Sequence, residues 1–383
     1  MKLRQERKPL FFLNTKPLTF HYFVTCTGHT LKNVRYSDTI PSLVMYGTMQ
    51  NPIDWQRFAE VVSSASKILL TIHQRPDGDC VGSALAMHKI LRHCGKEVRI
   101  IAPHKTPPSL GFLDPHGYIT ALEDMSDDDR HYLRTADLFF VLDVSSWAQL
   151  GDIATFFRES TAKKIVLDHH IKGDDVGAEK FIDFTSEATG ALVIQAADVL
   201  GVPISAEIAR QAFVALATDT GWFRFSNVTS DTFNMAARLK NAGAQPDVLY
   251  KELYEQESLG RIRLIGRTLE KTEAYEENKL LLSWILLEDF DAAGAHSSDS
   301  EDIINMLLQV QGSKMAILLS ELKDKTIKVS FRSRCLVDCS VLAAQFGGGG
   351  HKKAAGATLM PPFDHVKQTI INAAVAALRT ENE

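Results

Sequence analysis

From about residue 52 to 245, short apolar runs alternate with amphipathic stretches. Lys67 to Ile72, Glu97 to Ala102, Asp137 to Leu142 and Ile165 to Leu167 read as buried strands, bounded by turn residues. Helices are predicted between and after them. The first starts at Pro52 or Asp54 and runs to about Ser64, with Asn51 as its cap. Others cover Asp79–His93, stopped by Gly95, then Ala148–Glu159, Ala188–Leu200, Ala206–Thr218 and Ser230–Ala242. Such alternation predicts a doubly wound α/β domain on a mainly parallel sheet. Asp247 to Glu273 has few apolar residues per turn and predicts one long connecting helix.

Beyond it the pattern changes to a smaller α+β unit. Lys279–Leu287 reads as a strand and Glu301–Val310 as a helix. Met315–Glu321 and Thr326–Phe331 predict a strand pair turning at Lys323-Asp324-Lys325. Asp338–Gln345 is a short helix before Gly347-Gly348-Gly349-Gly350-His351, and a strand and a helix over Phe363–Arg379 finish the chain. The expected domains are an N-terminal extension (1–48), a catalytic domain (49–245), a helical linker (246–275) and a substrate-binding domain (276–383). Residues 1–45 show no period of 2 or 3.6 and predict a poorly ordered extension, with Met45 and Met49 as candidate starts.

Composition adds limits. The chain has 383 residues, 45% hydrophobic and 23% charged, which suits a globular protein with a large core. A net charge of −5 argues against long duplex nucleic acid, which needs a broad basic surface. A short anionic substrate remains compatible. Five scattered cysteines without a CxxC argue against a disulfide framework and for a reduced, cytoplasmic setting. No apolar run is long enough to span a membrane, so no membrane association is expected. The acidic run Asp127-Asp128-Asp129 fits a solvated helix start better than a cation site.

The chemistry lies at the strand ends. The first strand leads into His73-x3-Asp77-x-Asp79, the third into Asp143 and the fourth into Asp168-His169-His170, while a helix delivers Asp219. One Asp-His-His alone is more often a polar turn. Several such ends on one open sheet would converge, since ligands bind beyond the carboxyl ends of parallel strands. Five carboxylates and three imidazoles together need cations to relieve their repulsion. Oxygen and nitrogen donors without thiolate favour two divalent ions, Mn²⁺ first, with Mg²⁺ or Co²⁺ as substitutes. A bimetal clamp sharing a carboxylate is the usual engine of phosphoester hydrolysis.

These four motifs, with the segment Gly347 to His351 and Ala354-Ala355-Gly356, resemble the DHH phosphoesterase superfamily and its DHHA1 domain. The layout is most similar to the nanoRNase (oligoribonuclease and pAp phosphatase) subfamily, and the resemblance covers roughly residues 50 to 383. It implies that His73 and Asp77 hold one metal, that Asp79, His169 and Asp219 hold the second, and that Asp143 bridges them. It gives His170 the role of charge stabiliser or proton donor at the scissile phosphate, oriented by Asp168. In the second domain, Gly348, Gly349, Gly350 and His351 would cradle a phosphate. Of Arg332 and Arg334, flanking Ser333, at least one would face the substrate while the other, by strand alternation, points away. Arg224, Asn227 and Arg75 are further candidate contacts. The active site is expected in a cleft between the domains.

The implied activity is hydrolysis of short RNA or DNA oligonucleotides and of 3′-phosphoadenosine 5′-phosphate (pAp), with a homodimer left open. Rival readings are a RecJ-like exonuclease, an inorganic pyrophosphatase, a cyclic-di-AMP phosphodiesterase and a catalytically idle RNA-binding module. The first three lack, in this sequence, the extra domains or the different C-terminal domain they would bring. The intact metal-ligand pattern argues against the last.

Overall fold

A computed structural model describes residues 53–171 and 173–380. The N-terminal extension and the Asn51-Pro52 start therefore lie outside the described residues. The first helix, α1 (Trp55–Ser64), is capped by Asp54, whose side chain accepts from the Arg57 N–H at 2.9 Å.

The first domain is built on six strands: β1 (Lys67–Thr71), β2 (Glu97–Ala102), β3 (Ile119–Ala121), β4 (Leu138–Leu142), β5 (Lys163–Asp168) and β6 (Glu179–Ile182). Their order is β3-β2-β1-β4-β5-β6 and every pairing is parallel. Alternate side chains serve opposite faces. Ile68, Leu70, Phe140 and Leu142 pack under α1, α2 (Gly78–His93), α6 (Thr189–Val199) and α7 (Ala206–Asp219). Leu69, Phe139 and Val141 pack under α3 (Asp127–Thr135), α4 (Trp147–Leu150) and α5 (Ile153–Glu159). Both faces are covered, which explains why the strands read as unbroken apolar runs. The order reverses between β1 and β4, so the sheet opens a crevice there.

Several expectations are corrected. Residues 103–129, where no strand or helix is predicted apart from the acidic helix start, contain the edge strand β3 and the start of α3. Ser126 caps α3 in a reciprocal bond with Asp129, and Arg99 pairs with Asp128 and Asp129 at the helix start. The acidic run is thus a capped, salt-bridged helix start. Ala148–Glu159 is two helices, because Gly151 takes φ +53 between them. The single linker helix is also two, α9 (Pro246–Tyr254) and α10 (Leu259–Glu270), after α8 (Ser230–Asn241). Ser258 starts the second by accepting from the Arg261 N–H at 2.9 Å.

The second sheet has the order β11-β12-β10-β9-β8-β7, from β7 (Glu273–Tyr275), β8 (Leu280–Ile285), β9 (Met315–Glu321), β10 (Ile327–Ser333), β11 (Gly349–His351) and β12 (Ala354–Leu359). Only β8–β9 is parallel. One face buries Met315, Ile317, Val329 and Phe331 with α13 (Cys339–Ala344) and α14 (Phe363–Thr380). The other packs Leu281, Ile285 and Leu318 against α10, α11 (Leu287–Ala293) and α12 (Ile303–Leu307). The helix expected over 301–310 is thus a single short turn, and α10 shares the second core through Leu264.

Candidate metal centre and active site

The polar residues that end the strands meet at the crevice. His73 follows β1, and Asp77 caps α2, its carboxylate accepting from the Cys80 N–H at 3.1 Å. Asp79 sits in the first turn of α2, buried. Asp143 follows β4 with φ +58, a region costly for side chains other than Asn, Asp and Gly. Asp168 ends β5, and His169 and His170 continue from it. Asp219 ends α7.

His73 Nε2 lies 3.6 Å from Asp77 Oδ2 and 3.5 Å from Asp143 Oδ2. His169 Nε2 lies 3.8 Å from Asp79 Oδ2, 3.7 Å from Asp143 Oδ1 and 3.6 Å from Asp219 Oδ2. These separations exceed good hydrogen bonds and suit donors arranged around shared cations. Three overlapping groups of potential ligands therefore adjoin: His73, Asp77, Cys80 and Asp143; Asp143, His169 and His170; and Asp79, His169 and Asp219. Asp143 turns Oδ2 toward His73 and Oδ1 toward His169.

The surroundings fix these donors. His169 Nδ1 bonds the Ser186 carbonyl at 3.2 Å; only an N–H can do so, which leaves Nε2 free to ligate. Asp168 Oδ1 holds His170 Nδ1 at 2.7 Å and accepts the His169 N–H at 2.8 Å. Asp79 accepts from Ser83 Oγ at 3.0 Å and from the N–H groups of Thr189 and Gly190 at 2.8 and 2.9 Å. Thr189 Oγ1 donates to Asp143 Oδ1 at 3.0 Å. The start of α6 lacks a side-chain cap of its own, and Asp79 serves instead.

The electrostatics fit a cation-filled site. Burial, then repulsion from Asp143 and Asp219, holds the Asp79 carboxyl well above the usual range. Burial and Asp143 also raise Asp219, against the pull of His169. Burial works against a charged His73, yet Asp143 and Asp77 push it up to about 12. His170 is raised to about 9, chiefly by its bond to Asp168. Carboxylates that resist ionisation and an imidazole that clings to its proton are what cations would reverse.

All eight sequence-derived residues of the centre thus come together. Sequence reasoning missed Cys80, Ser83, Thr189 and Gly190. Cys80 is fully buried beside Asp77, and burial pushes its thiol up to about 12. Thr189-Gly190 at a predicted helix start was the available signal, because helix N-termini bind anions.

The second-domain candidates fare unevenly. Arg332 is half-buried, lines an open cavity, and gives one N–H to the Phe331 carbonyl at 3.1 Å. Residues two apart on a strand share a face, so alternation does not separate Arg332 from Arg334. Arg334 leaves because β10 ends at Ser333, and it donates instead to the Leu308 carbonyl at 2.7 Å. Ser333 is buried and bonded to Cys335. The glycine run is an edge strand rather than an open phosphate nest: Gly349, Gly350 and His351 pair with β12, and the N–H groups of Gly347 and Gly348 close α13. A side chain at Gly348 would lie 2.1 Å from the Gly356 carbonyl, so glycine there serves close packing. His351 and Gly349 remain exposed. In the first domain, Arg224 folds back onto the Gly221 carbonyl at 2.8 Å. Asn227 ties the carbonyls of Glu187 and Asp219 together at 3.3 Å, so it positions the Asp219 turn. Arg75 is exposed.

An α/β sheet with acidic and imidazole donors converging at its switch point defines a phosphoesterase class. Residues 67–217 match the DHH family, N-terminal domain, and residues 277–379 match the DHHA1 domain. The bifunctional oligoribonuclease and PAP phosphatase NrnA of Thermus thermophilus is 32% identical over 82% of this chain and 92% of that protein. Its namesake from Bacillus subtilis is 26% identical over 78% and 91%. The crystal structure of an exopolyphosphatase-related protein from Bacteroides fragilis is 25% identical and superposes with a TM-score of 0.72, covering 85% of this chain and 95% of that one. The chain belongs to the DHH family, carries a DHHA1 domain, and is a hydrolytic enzyme of the NrnA type. No described helix is long and apolar enough to cross a membrane.

Proposed function

We propose that the enzyme hydrolyses short oligoribonucleotides to mononucleotides and pAp to AMP at the centre around Asp143. The observation that carries this reading is the position of Asp143, whose Oδ2 faces His73 at 3.5 Å and whose Oδ1 faces His169 at 3.7 Å. One carboxylate between two donor sets suits a bimetal site. His73 and Asp77 would hold one cation and Asp79, His169 and Asp219 the other, with Mn²⁺ the best match to these donors. When bound, the pair would acidify a water and neutralise charge on the attacked phosphate.

The protein's own groups do the rest. Thr189 and the start of α6 hold Asp79 and Asp143 in place. Asp168 keeps the proton of His170 on Nδ1 and aims the ring, whose side chain is 41% exposed, toward the crevice, where it would stabilise phosphate charge or protonate the leaving group. Arg332 and His351 would anchor the part of the substrate that is not cleaved. The similarity to NrnA proteins over nearly their whole length supports the substrate class.

The test is hydrolysis with Mn²⁺ by wild type and Asp143→Ala, on pAp, a 5′-phosphorylated RNA dinucleotide, a single strand of roughly 20 nucleotides and cyclic di-AMP. Turnover of the dinucleotide and pAp by wild type alone is expected. Preference for the long strand or for cyclic di-AMP would reassign the substrate, and no turnover of any would overturn the reading.

A further inference from the structure

On the second sheet a cavity of about 1050 Å³ lies between β9–β10 and the α11–α12 connection. Along β10, Ile327, Val329 and Phe331 are buried in the second core, while Lys328, Ser330 and Arg332 line this cavity. Residues at i, i+2 and i+4 stand about 6.8 Å apart on one face. That spacing is close to the separation of successive phosphates along an extended single strand. The β9–β10 turn adds Lys323 at the far end. Among the described residues, neither Lys323 nor Lys328 makes an ion pair, and both are exposed. At the near end, the register places His351, Ala354 and Arg332 side by side across three strands. Paired residues share a face, so the row begins beside His351 and continues down β10.

The opposite wall is different. It presents Phe290, His296 and the carboxylates Asp291, Glu301 and Asp302, the last also accepting from Asn305 Nδ2 at 2.9 Å. Phosphates are repelled there, whereas ribose hydroxyls and base amino groups find acceptors. The remaining carboxylate on the strand side, Glu321, is occupied by Lys325 and the Leu287 N–H. The cavity thus has a cationic and hydroxylic side for a backbone and an acceptor-rich side for sugars and bases.

We propose that Arg332, Ser330, Lys328 and Lys323 form a track for successive phosphates of a single-stranded oligonucleotide. The track gives oligomers an advantage over dinucleotides. It extends the phosphoesterase reading above and depends on it for its role in turnover.

The experiment compares wild type, Lys328→Ala, Lys323→Ala/Lys328→Ala and Lys328→Arg on a labelled ribopentamer and a dinucleotide. Binding is read by anisotropy in EDTA over a salt series, and turnover with Mn²⁺ separately. Each phosphate contact contributes about 0.7 to the log–log salt slope for single strands. The double variant is expected to lose about 1.4 of slope on the pentamer, with the pentamer-to-dinucleotide ratio of kcat/KM falling roughly tenfold. Lys328→Arg should restore the slope that Lys328→Ala loses. Equal losses on both lengths, or an unchanged slope, would overturn the track. A lysine-dependent length preference in binding without any turnover would support the track and sink the proposed activity.

Discussion

The Thr189 N–H donates to Asp79 Oδ2 at 2.8 Å, joining residues 110 apart in sequence. Through this bond the start of α6, which is covered by no side-chain cap, is closed by a carboxylate of the metal centre. The Thr189 hydroxyl simultaneously donates to Asp143 Oδ1 at 3.0 Å. One residue therefore orients two acidic groups, by main chain and by side chain.

Thr189→Val separates these roles. It keeps the N–H bond to Asp79 and removes the donor to Asp143. Activity on the dinucleotide is expected to fall roughly 10- to 100-fold, the usual effect of losing a partner of a metal ligand. The melting temperature should fall little, because valine preserves the shape of the side chain. A normal rate in Thr189→Val would show that Asp143 needs no help from α6.

Asp143 itself combines a chemical and a conformational demand. Its φ of +58 is tolerated by Asn nearly as well as by Asp, whereas Ala loses about 1–2 kcal/mol in that region. Asp143→Asn and Asp143→Ala are both expected to lose more than about 100-fold in kcat/KM. Only Asp143→Ala should also lose about 1 kcal/mol of stability in urea unfolding. Equal stabilities would mean that the backbone relaxes when the carboxylate is gone.

How far this site can be read from sequence depends on burial. β1, β4 and β5 are covered on both faces, so their apolar runs end sharply at His73, Asp143 and Asp168 and announce the centre. The edge strands β3 and β6 are short and only partly buried, and carry no such signal. Polar bonds made across the fold are nearly silent: the helix start at Thr189-Gly190 marks an anion-binding position, but nothing near it in sequence names Asp79 as the acceptor. Arg334 could not be separated from Arg332 by pattern, since its fate depends on where β10 stops and on the distant Leu308 carbonyl. The glycine run was conspicuous, but only the register with β12 reveals an edge strand.

His88 predicts an acid weakness away from the metal centre. Its Nδ1 is buried without a partner and its ring lies 4.7 Å from that of Tyr118. Burial, then Lys89 and Arg92, pushes its pKa down to about 4, against the weaker pull of Asp114 and Glu207. The folded state thus refuses a proton that the unfolded state accepts below about 6.5. The contribution of neutral His88 is complete above that pH, declines as the pH falls, and is lost below about 4. Across this window the difference is on the order of 3 kcal/mol. His88→Leu should flatten the fall in melting temperature between pH 7 and pH 4. A slope identical to wild type would place the acid sensitivity elsewhere.

Asp219 tests whether the acidic cluster is built for cations. Burial and Asp143 raise its pKa, so without metal it is a source of strain in the folded state. Asp219→Asn removes that charge but keeps the size of the side chain. The carbonyl held by Asn227 belongs to the main chain and survives the change. In EDTA the variant should therefore melt at the wild-type temperature or above it. Adding Mn²⁺ at about 100 times its dissociation constant stabilises a single site by about 2.7 kcal/mol. Wild type should gain at least that, while Asp219→Asn should lose about half of the gain, since one of two cation positions is weakened. A full metal-dependent gain in the variant would remove Asp219 from the ligand set. A lower melting temperature in EDTA would instead assign its carboxylate a structural bond, for which His169 Nε2, 3.6 Å from Asp219 Oδ2, is its one ion-pair partner among the described residues.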